Sequence, residues 1–342
     1  MHPPTVLVVY NEPVLPRDHP DAESEHDIIE TVETTVKILT EVGFGVRQVG
    51  VSFDPQILLN QIRDQRPDVV FNLFEGLATQ TGTEISVAAL LEWMNIPFTG
   101  SPSHAIALGR DKIRTKLLMQ GAGLPTAAFQ VIDRMPGPRW PSAYPVIVKP
   151  AYQDSSVGID QSSVVTNQKE LDDRVADILE RYGPPVLVEQ FVFGREFHAS
   201  VIDEPGHSPL TPKPMTIPLT EICFTFEPGK RYWPIYSYAA KWDTESVEHI
   251  GTPHETPVYL EPEIMNRING AALKAYRLLG LRDYGRIDLR LTEEGEPYIL
   301  EGNPNPYLNG IGLIKGLEAM GKSHPQFVAD LVWGALTRGG KM

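Results

Sequence analysis

The sequence predicts an α/β protein whose C-terminal part is α+β, and three observations support this. Strand-like apolar runs alternate with helical segments over the first third of the chain, which favours a parallel sheet with crossover helices. A β-branched run over 144–150 leads into a loop rich in hydroxyl groups. Two alternating segments, 284–291 and 298–303, flank a Glu-Glu-Gly-Glu turn and predict an antiparallel hairpin. With 342 residues, two or three domains are expected.

Composition excludes several classes of function. The net charge of −14 argues against a nucleic-acid or anionic-membrane surface, so neither partner is expected. No apolar run approaches the roughly 18–20 residues that span a bilayer, and the N-terminus carries no export signal. The single cysteine, Cys223, cannot form an internal disulfide and has no activating neighbour. These features predict a cytoplasmic protein.

The first third of the chain carries three candidate acidic residues. Strands are predicted at 6–10, 46–51, 69–73 and 96–100, and helices at 27–42, 55–65 and 83–94. Ligands of parallel sheets lie beyond the carboxyl ends of the strands, which makes Glu12, Glu25 and Glu75 candidate site residues. Taken singly, each is also explained by a loop carboxylate that faces water.

The middle of the chain carries a candidate phosphate-binding loop. Helices are predicted at 103–120 and 170–180, and strands at 127–132, 144–150 and 185–192. Lys149 is costly to bury at the end of its strand unless an anion meets it. The loop that follows offers backbone N–H groups together with Ser155 and Ser156, which suits a polyphosphate. The alternative is a solvated lysine before a flexible loop.

The C-terminal part carries a candidate metal site. A strand at 194–202, a turn at Pro205-Gly206, a long loop at 236–243, a helix at 262–280 and two closing helices near 310–320 and 324–336 are predicted around the hairpin. Asp288 and Glu301 lie on its two arms, and Asn303 leaves the same face as Glu301. Facing carboxylates repel unless a cation lies between them, and oxygen ligands of this kind suit Mg²⁺. Arg286 points to the same face and is a candidate for binding developing negative charge. The alternative is a surface hairpin with its charges in water.

These features together predict an enzyme that uses ATP, without either common nucleotide motif. The sequence contains no G-x-x-x-x-G-K-[ST] and no G-x-G-x-x-G after a strand. Seven short motifs occur in a specific order: IPFTGS at 96–101, DKIRTKLL at 111–118, GAGLP at 121–125, VIVKP at 146–150, SSVG at 155–158, GRID at 285–288 and LEGN at 300–303. In these motifs the chain resembles the ATP-grasp superfamily and, within it, the D-alanine–D-alanine ligase family.

The resemblance implies a role for each matching residue. Lys112 and Lys149 contact the nucleotide phosphates, with Ser155 and Ser156 in the loop that folds over them. The remaining positions are Glu189 and Val192 near adenine, Glu196 at the ribose, Lys241 at the terminal phosphate, Arg286 at the transferred phosphoryl group, and Asp288, Glu301 and Asn303 as ligands of two Mg²⁺ ions, for which Mn²⁺ is a substitute. Arg286, Lys241 and Ser156 are the implied catalytic residues.

The resemblance also implies the architecture and the reaction. Three domains are expected: an N-terminal α/β domain over 1–102, a central domain over 103–190 and a C-terminal domain over 191–342, with ATP between the last two. The implied reaction joins a small-molecule carboxylate, such as an amino acid, to an amine through an acyl phosphate. A homodimer is implied as well.

The substrate side departs from the family pattern. Position 75, where the family usually has histidine, is glutamate, and Tyr307 replaces a glycine after the metal-binding asparagine. Glu25 keeps only part of the family's glutamate motif. Glu25, Glu75 and Tyr307 are therefore the candidate substrate residues. These departures argue against D-alanine as both substrates. Two alternatives stay open: an ATP-binding relative without turnover, and an enzyme that stops at phosphorylation.

Overall fold

Three β-sheets organise the computed structural model, which describes residues 3–80, 82–204, 208–226, 232–308 and 312–341. The strands are β1 Thr5–Asn11, β2 Gly45–Val51, β3 Val69–Leu73, β4 Phe129–Ile132, β5 Val146–Pro150, β6 Val164–Val165, β7 Val186–Gln190, β8 Arg195–Asp203, β9 Pro214–Thr216, β10 Thr220–Ile222, β11 His254–Glu255, β12 Tyr284–Leu291 and β13 Pro297–Pro304. The helices are α1 Ala22–His26, α2 Ile28–Val42, α3 Gln56–Asp64, α4 Thr83–Trp93, α5 Ser103–Arg110, α6 Lys112–Gly121, α7 Gln168–Tyr182, α8 Tyr238–Trp242, α9 Val247–Ile250, α10 Pro262–Leu278, α11 Leu313–Ala319 and α12 His324–Arg338. None of these helices is long and apolar enough to cross a membrane. The predicted Pro205-Gly206 turn and the predicted start of the helix at 310 lie outside the described residues.

The first sheet is parallel, with strand order β2-β1-β3, as the alternating pattern predicts. Successive residues of β1 face opposite layers, because side chains alternate along a strand. Val6 and Val8 pack with helices α2 and α12, whereas Leu7 and Val9 pack with α3 and α4. Helix α2 ends at Gly43, whose φ of 104° is the left-handed conformation that glycine accepts without strain.

Two predicted elements are wrong in detail. The strand predicted at 96–100 reduces to a single bridge between Val70 and Phe98, since Pro97 has no N–H to extend the ladder. The single helix predicted at 103–120 is two helices, α5 and α6, broken at Asp111. The Asp111 carboxylate accepts a hydrogen bond from the Arg114 N–H at 2.9 Å, so it caps the start of α6.

The other two sheets supply the framework of the site. The second has the order β4-β7-β5-β6, and α7 covers one of its faces through Leu171 and Val175. The third has the order β11-β10-β8-β12-β13, with β9 paired to β8, and α10 covers one of its faces. Period-two alternation on the third sheet leaves Glu196, Arg286 and Asp288 on the face away from α10.

The end of the chain returns to the first sheet. Helix α12 packs against α2 and β3. Arg338 holds Asp283 through contacts of 2.6 and 2.8 Å, and Asp283 in turn accepts from the Gly100 N–H at 2.8 Å. Residues far apart in sequence therefore tie the first and third sheets together. The domain bounds given above stay a prediction.

Candidate active site

Two adjoining cavities lie beside the polar face of the third sheet. The inner cavity, of about 100 Å³, is bounded by the second and third sheets. The outer cavity, of about 400 Å³, is bounded by the first sheet's loops and the end of β13. Asp154, Ser155, Lys241 and Arg286 line both cavities. These four residues therefore mark the junction through which a group could pass from one cavity to the other.

The inner cavity brings together most of the residues that the sequence analysis singled out. Its lining includes Lys149, Ser155, Ser156, Glu189, Val192, Glu196, Lys241, Arg286, Asp288 and Glu301. Asn303 lines the outer cavity instead. Lys112 lines neither, but its Nζ is 3.6 Å from Glu301 Oε2 and donates to the Gln153 carbonyl oxygen at 2.5 Å. Residues from several elements thus converge on one cleft.

The negative charge beside Lys149 comes from the protein itself, from the carboxylate of Glu189. Lys149 Nζ lies 2.7 Å from Glu189 Oε2, and Lys116 Nζ lies 2.5 Å from Glu189 Oε1. Burial opposes ionisation of Glu189, but the two ammonium groups outweigh it and lower the pKa of Glu189 to about 2. The sequence analysis missed Lys116. Its spacing from Lys112 was the available signal, because residues four apart share one face of a helix.

Replacing Glu189 by glutamine is expected to destabilise the protein by about 3–5 kcal/mol, because two buried ammonium groups lose their shared counter-charge. Urea unfolding of the wild type and of Glu189→Gln measures the change. Since the pKa of Glu189 is lowered, its stabilisation is full above the ordinary value of 4.5 and is lost as the pH falls towards about 2. The difference between the two proteins should therefore be constant from about pH 8 to pH 5. Glu41→Gln, at an exposed position near the end of α2, is the control, and an equal loss there would contradict the assignment.

A second buried ion pair holds Glu196. Arg290 Nη2 lies 2.7 Å from Glu196 Oε2, and Arg290 Nη1 donates to the Val192 carbonyl oxygen at 2.8 Å. The Arg290 guanidinium also stacks 4.8 Å from the centre of the Phe191 ring. The sequence analysis missed Arg290, although it continues the alternation of Arg286 and Asp288 along β12. Arg290 fixes the carboxylate of Glu196 at the wall of the cavity.

The hairpin of β12 and β13 gathers the predicted metal ligands. Arg286 donates to both oxygens of Asp288, at 2.7 and 2.8 Å. The Asn303 amide nitrogen is 3.0 Å from Asp288 Oδ2 and 3.5 Å from Glu301 Oε1. Neighbouring oxygen ligands of an octahedral Mg²⁺ are about 3 Å apart, and rotation of the Asn303 amide exchanges its nitrogen for its oxygen. The donor set and its spacing therefore fit a hard divalent cation.

The loop after β5 closes over the junction. Ser155 and Ser156 have positive φ angles of 54° and 62°. Ser156 Oγ donates to the Tyr236 carbonyl oxygen at 2.9 Å, and the Trp242 indole N–H donates to the Ser155 carbonyl oxygen at 3.0 Å. Lys241 lies in the short helix α8 and not in the long loop predicted for it. Burial and the charge of Arg286 lower the pKa of Lys241.

Glu25 and Glu75 both line the outer cavity but differ in their partners. The Glu25 carboxylate is buried and accepts hydrogen bonds from the backbone N–H groups of Val14, Leu15 and Ala78 at 2.9, 2.8 and 3.2 Å. The Glu75 carboxylate accepts no hydrogen bond from any residue in the described ranges. Burial, with the nearby charge of Asp154, raises the pKa of Glu75 to about 8, against the opposing effect of Lys241. Among the described residues, Glu75 is therefore a buried acidic group of this cavity whose carboxylate has no hydrogen-bond partner.

The other residues of the outer cavity complete a strongly charged lining. Arg110 Nε lies 2.7 Å from Glu84 Oε1, and its Nη2 donates to the Glu75 carbonyl oxygen at 3.2 Å. Tyr307, a candidate substrate residue, lines this cavity as well. Burial opposes ionisation of Asp154, yet Lys112 and Arg110 lower its pKa. The sequence analysis missed Arg110, Glu84 and Asp154. Glu12, by contrast, is exposed and lines neither cavity.

Comparison with known proteins yields matches over most of the chain. A family model described as D-ala D-ala ligase C-terminus matches residues 118–333. D-alanine–D-alanine ligase B of Chromobacterium violaceum is 32% identical over 293 residues, covering 82% of this chain and 86% of that protein. The uncharacterized protein y4sG of Sinorhizobium fredii is 30% identical over 241 residues, covering 70% of this chain and 66% of that protein. The crystal structure of D-alanine–D-alanine ligase from Bacillus anthracis complexed with ATP matches with a TM-score of 0.77 at 20% identity, covering 100% of this chain and 99% of that one.

Proposed function

Because this chain belongs to the D-alanine–D-alanine ligase family of ATP-grasp proteins, we propose that it joins a carboxylic acid to an amine at the expense of ATP. One observation carries the proposal: an inner and an outer cavity share Lys241 and Arg286 at their junction. ATP in the inner cavity would present its terminal phosphate to an acid in the outer cavity. The two cationic side chains would stabilise the charge that develops between them.

We assign the inner cavity to the nucleotide. The segment from Glu189 to Val192 would face the adenine, and Glu196 would face the ribose. Lys112, Lys149 and the hydroxyl groups of Ser155 and Ser156 would contact the phosphates. The salt bridges of Lys149 and Lys112 to Glu189 and Glu301 hold these cations in place before an anion enters.

We assign Asp288, Glu301 and Asn303 as the residues that hold divalent cations, either two Mg²⁺ or two Mn²⁺ ions. When bound, such ions neutralise phosphate charge and lower the barrier to phosphoryl transfer. Arg286 donates hydrogen bonds to both oxygens of Asp288. It would orient that carboxylate and face the transferred group. The closed loop at Ser155 would exclude water from the junction.

The proposed reaction has two steps. An oxygen of the acid attacks the terminal phosphorus, the bond to the bridging oxygen breaks, and ADP leaves. The amine then attacks the acyl carbon, inorganic phosphate leaves with the C–O electron pair, and the amide bond forms. The attacking nitrogen loses a proton, for which Glu75 is the acceptor with a free carboxylate in the outer cavity. Catalysis is otherwise positioning and electrostatics.

We propose that the substrates are not two molecules of D-alanine. The support is the charge of the outer cavity, where Glu75, Asp154 and the Arg110–Glu84 pair surround the space beside Tyr307. Such a lining favours a substrate that holds towards Glu75 an amino group that D-alanine lacks, since an ammonium ion is a natural partner for an unpaired carboxylate. Tyr307 lines the same cavity and limits its space.

A screen of paired substrates tests the function. The full chain is incubated with ATP, Mg²⁺ and pairs drawn from D- and L-amino acids and simple amines, and both phosphate release and product mass are measured. Ligation predicts a product mass equal to the sum of the two substrates less one water, with one phosphate released per product. The mass of a phosphorylated acid, without a coupled product, would indicate phosphorylation only. ATP binding with neither phosphate release nor a new product mass from any pair would indicate a nucleotide-binding protein without turnover.

A further inference from the structure

His198 is a polar residue to which the proposed function gives no role. It lies on β8, is 5% exposed and lines the inner cavity. The strand register places His198 directly opposite Asp288, and Asp288 directly opposite Glu301. Residues directly opposite in antiparallel strands project from the same face, with Cβ atoms about 4.5–5.5 Å apart. The three side chains therefore form one row across the floor of the cavity.

The imidazole ring is oriented along that row. His198 Nε2 lies 3.9 Å from Asp288 Oδ1. A Cβ atom placed on Gly312 would lie 3.8 Å from His198 Nδ1, so the two ring nitrogens face different surroundings. Within the described ranges, neither ring nitrogen takes part in a hydrogen bond. Nε2 is thus directed at Asp288 Oδ1, which also accepts a hydrogen bond from Arg286 Nε at 2.7 Å, and Nε2 has no hydrogen-bond partner of its own among the described residues.

The distance from Nε2 to Asp288 can be compared with that between two ligands of one metal ion. Two ligands of one divalent ion, each bonded at about 2.1 Å, lie at most about 4.2 Å apart. The distance of 3.9 Å between Nε2 and Oδ1 falls within this limit. A neutral imidazole nitrogen is a common metal ligand in proteins. We propose that His198 coordinates, through Nε2, a divalent cation shared with Asp288, which rests on the cation site of the proposed function.

A nitrogen ligand would change which metal the site prefers. Oxygen-only sites suit Mg²⁺, whereas imidazole favours transition metals such as Mn²⁺ over Mg²⁺. Loss of one interaction that supports a metal site typically lowers metal affinity about 10–100-fold. His198→Ala is therefore expected to weaken Mn²⁺ binding by at least about 10-fold and Mg²⁺ binding by less, which narrows the ratio of the two affinities.

Pulsed EPR of the full chain loaded with Mn²⁺ alone tests the assignment directly. The wild type should show modulation from a directly bonded ¹⁴N nucleus, and labelling the histidines with ¹⁵N should change that modulation. His198→Gln, which offers an oxygen ligand of similar reach, should bind Mn²⁺ and lose the nitrogen signal. His254→Ala is the matched control, because His254 is the neighbouring imidazole, 6.3 Å from His198 between ring centres, and does not line the inner cavity. It should keep the signal.

Each EPR result supports or contradicts coordination of the cation by His198. Bound Mn²⁺ without a nitrogen signal in the wild type, or with one that persists in His198→Gln, overturns the proposal and leaves the cation site and the ligase function standing. A wild type that binds no Mn²⁺ overturns the cation site itself. Thermal unfolding of all three histidine variants shows whether they fold. The substrate screen is evaluated separately.

Discussion

Replacing Asp288 by asparagine is expected to lower kcat/KM for amide formation by about 10²–10³-fold. Asp288 is the central carboxylate of the proposed cation site, and its two oxygens also hold Arg286 at 2.7 and 2.8 Å. Asparagine keeps the shape of the side chain but removes its negative charge and one of its two acceptor oxygens. The measurement is initial-rate ADP release with the substrate pair that the screen identifies.

The fold and nucleotide binding of the Asp288→Asn variant must be measured alongside its activity. Asp173→Asn is the matched control, because Asp173 is an exposed carboxylate on α7 whose partner is the exposed Lys169. The control should retain full activity. If Asp288→Asn retains activity within about threefold of the wild type, the metal-binding role assigned to Asp288 is wrong.

Replacing Glu75 by glutamine is expected to lower kcat at pH 8 by about 10²-fold or more, the usual contribution of a positioned general base. The base must be ionised to accept a proton. Since burial raises the pKa of Glu75 to about 8, kcat/KM of the wild type, expressed per concentration of unprotonated amine, should rise with pH and level off above about pH 8. Glutamine does not titrate, so the variant should lose this rise.

A partial reaction separates the role of Glu75 from a general loss of structure. Phosphate release that depends on the acid alone does not require deprotonation of the amine, so it should be unchanged in Glu75→Gln. Glu41→Gln, at an exposed position near the end of α2, serves as the control for removal of a carboxylate. A pH profile that keeps its rise in the Glu75→Gln variant would show that another group accepts the proton.

Much of the fold could be read from periodicity. The parallel first sheet, the amphipathic helix α10 and the hairpin of β12 and β13 are confirmed because each follows from local alternation and turn residues. The break at Asp111 was missed because the helical pattern continues across it. There a side-chain hydrogen bond to the Arg114 N–H, not the apolar spacing, sets the start of α6.

Only some of the residues that meet in the site could be identified from their local sequence. Lys149, Asp288 and Glu301 stand in recognisable strand and hairpin contexts, and the structure brings them to one cavity. The counter-ion of Lys149 could not be assigned, because Glu189 reaches it through the pairing of β5 with β7. Local spacing places Arg290 and Lys116 on the same faces as other candidate site residues, but their partners, which define their roles, are distant in sequence.

By itself, the sequence determined the classes of secondary structure, the likeness to one family and the identity of the residues available for chemistry. These depend on composition, spacing and motif order, which need no knowledge of neighbours in space. Only the tertiary structure decided which charges pair, which carboxylate is left without a partner and how the two cavities meet at Lys241 and Arg286. The physical reason is that burial and charge pairing depend on distances between residues far apart in the chain, and those distances exist only once the sheets have packed.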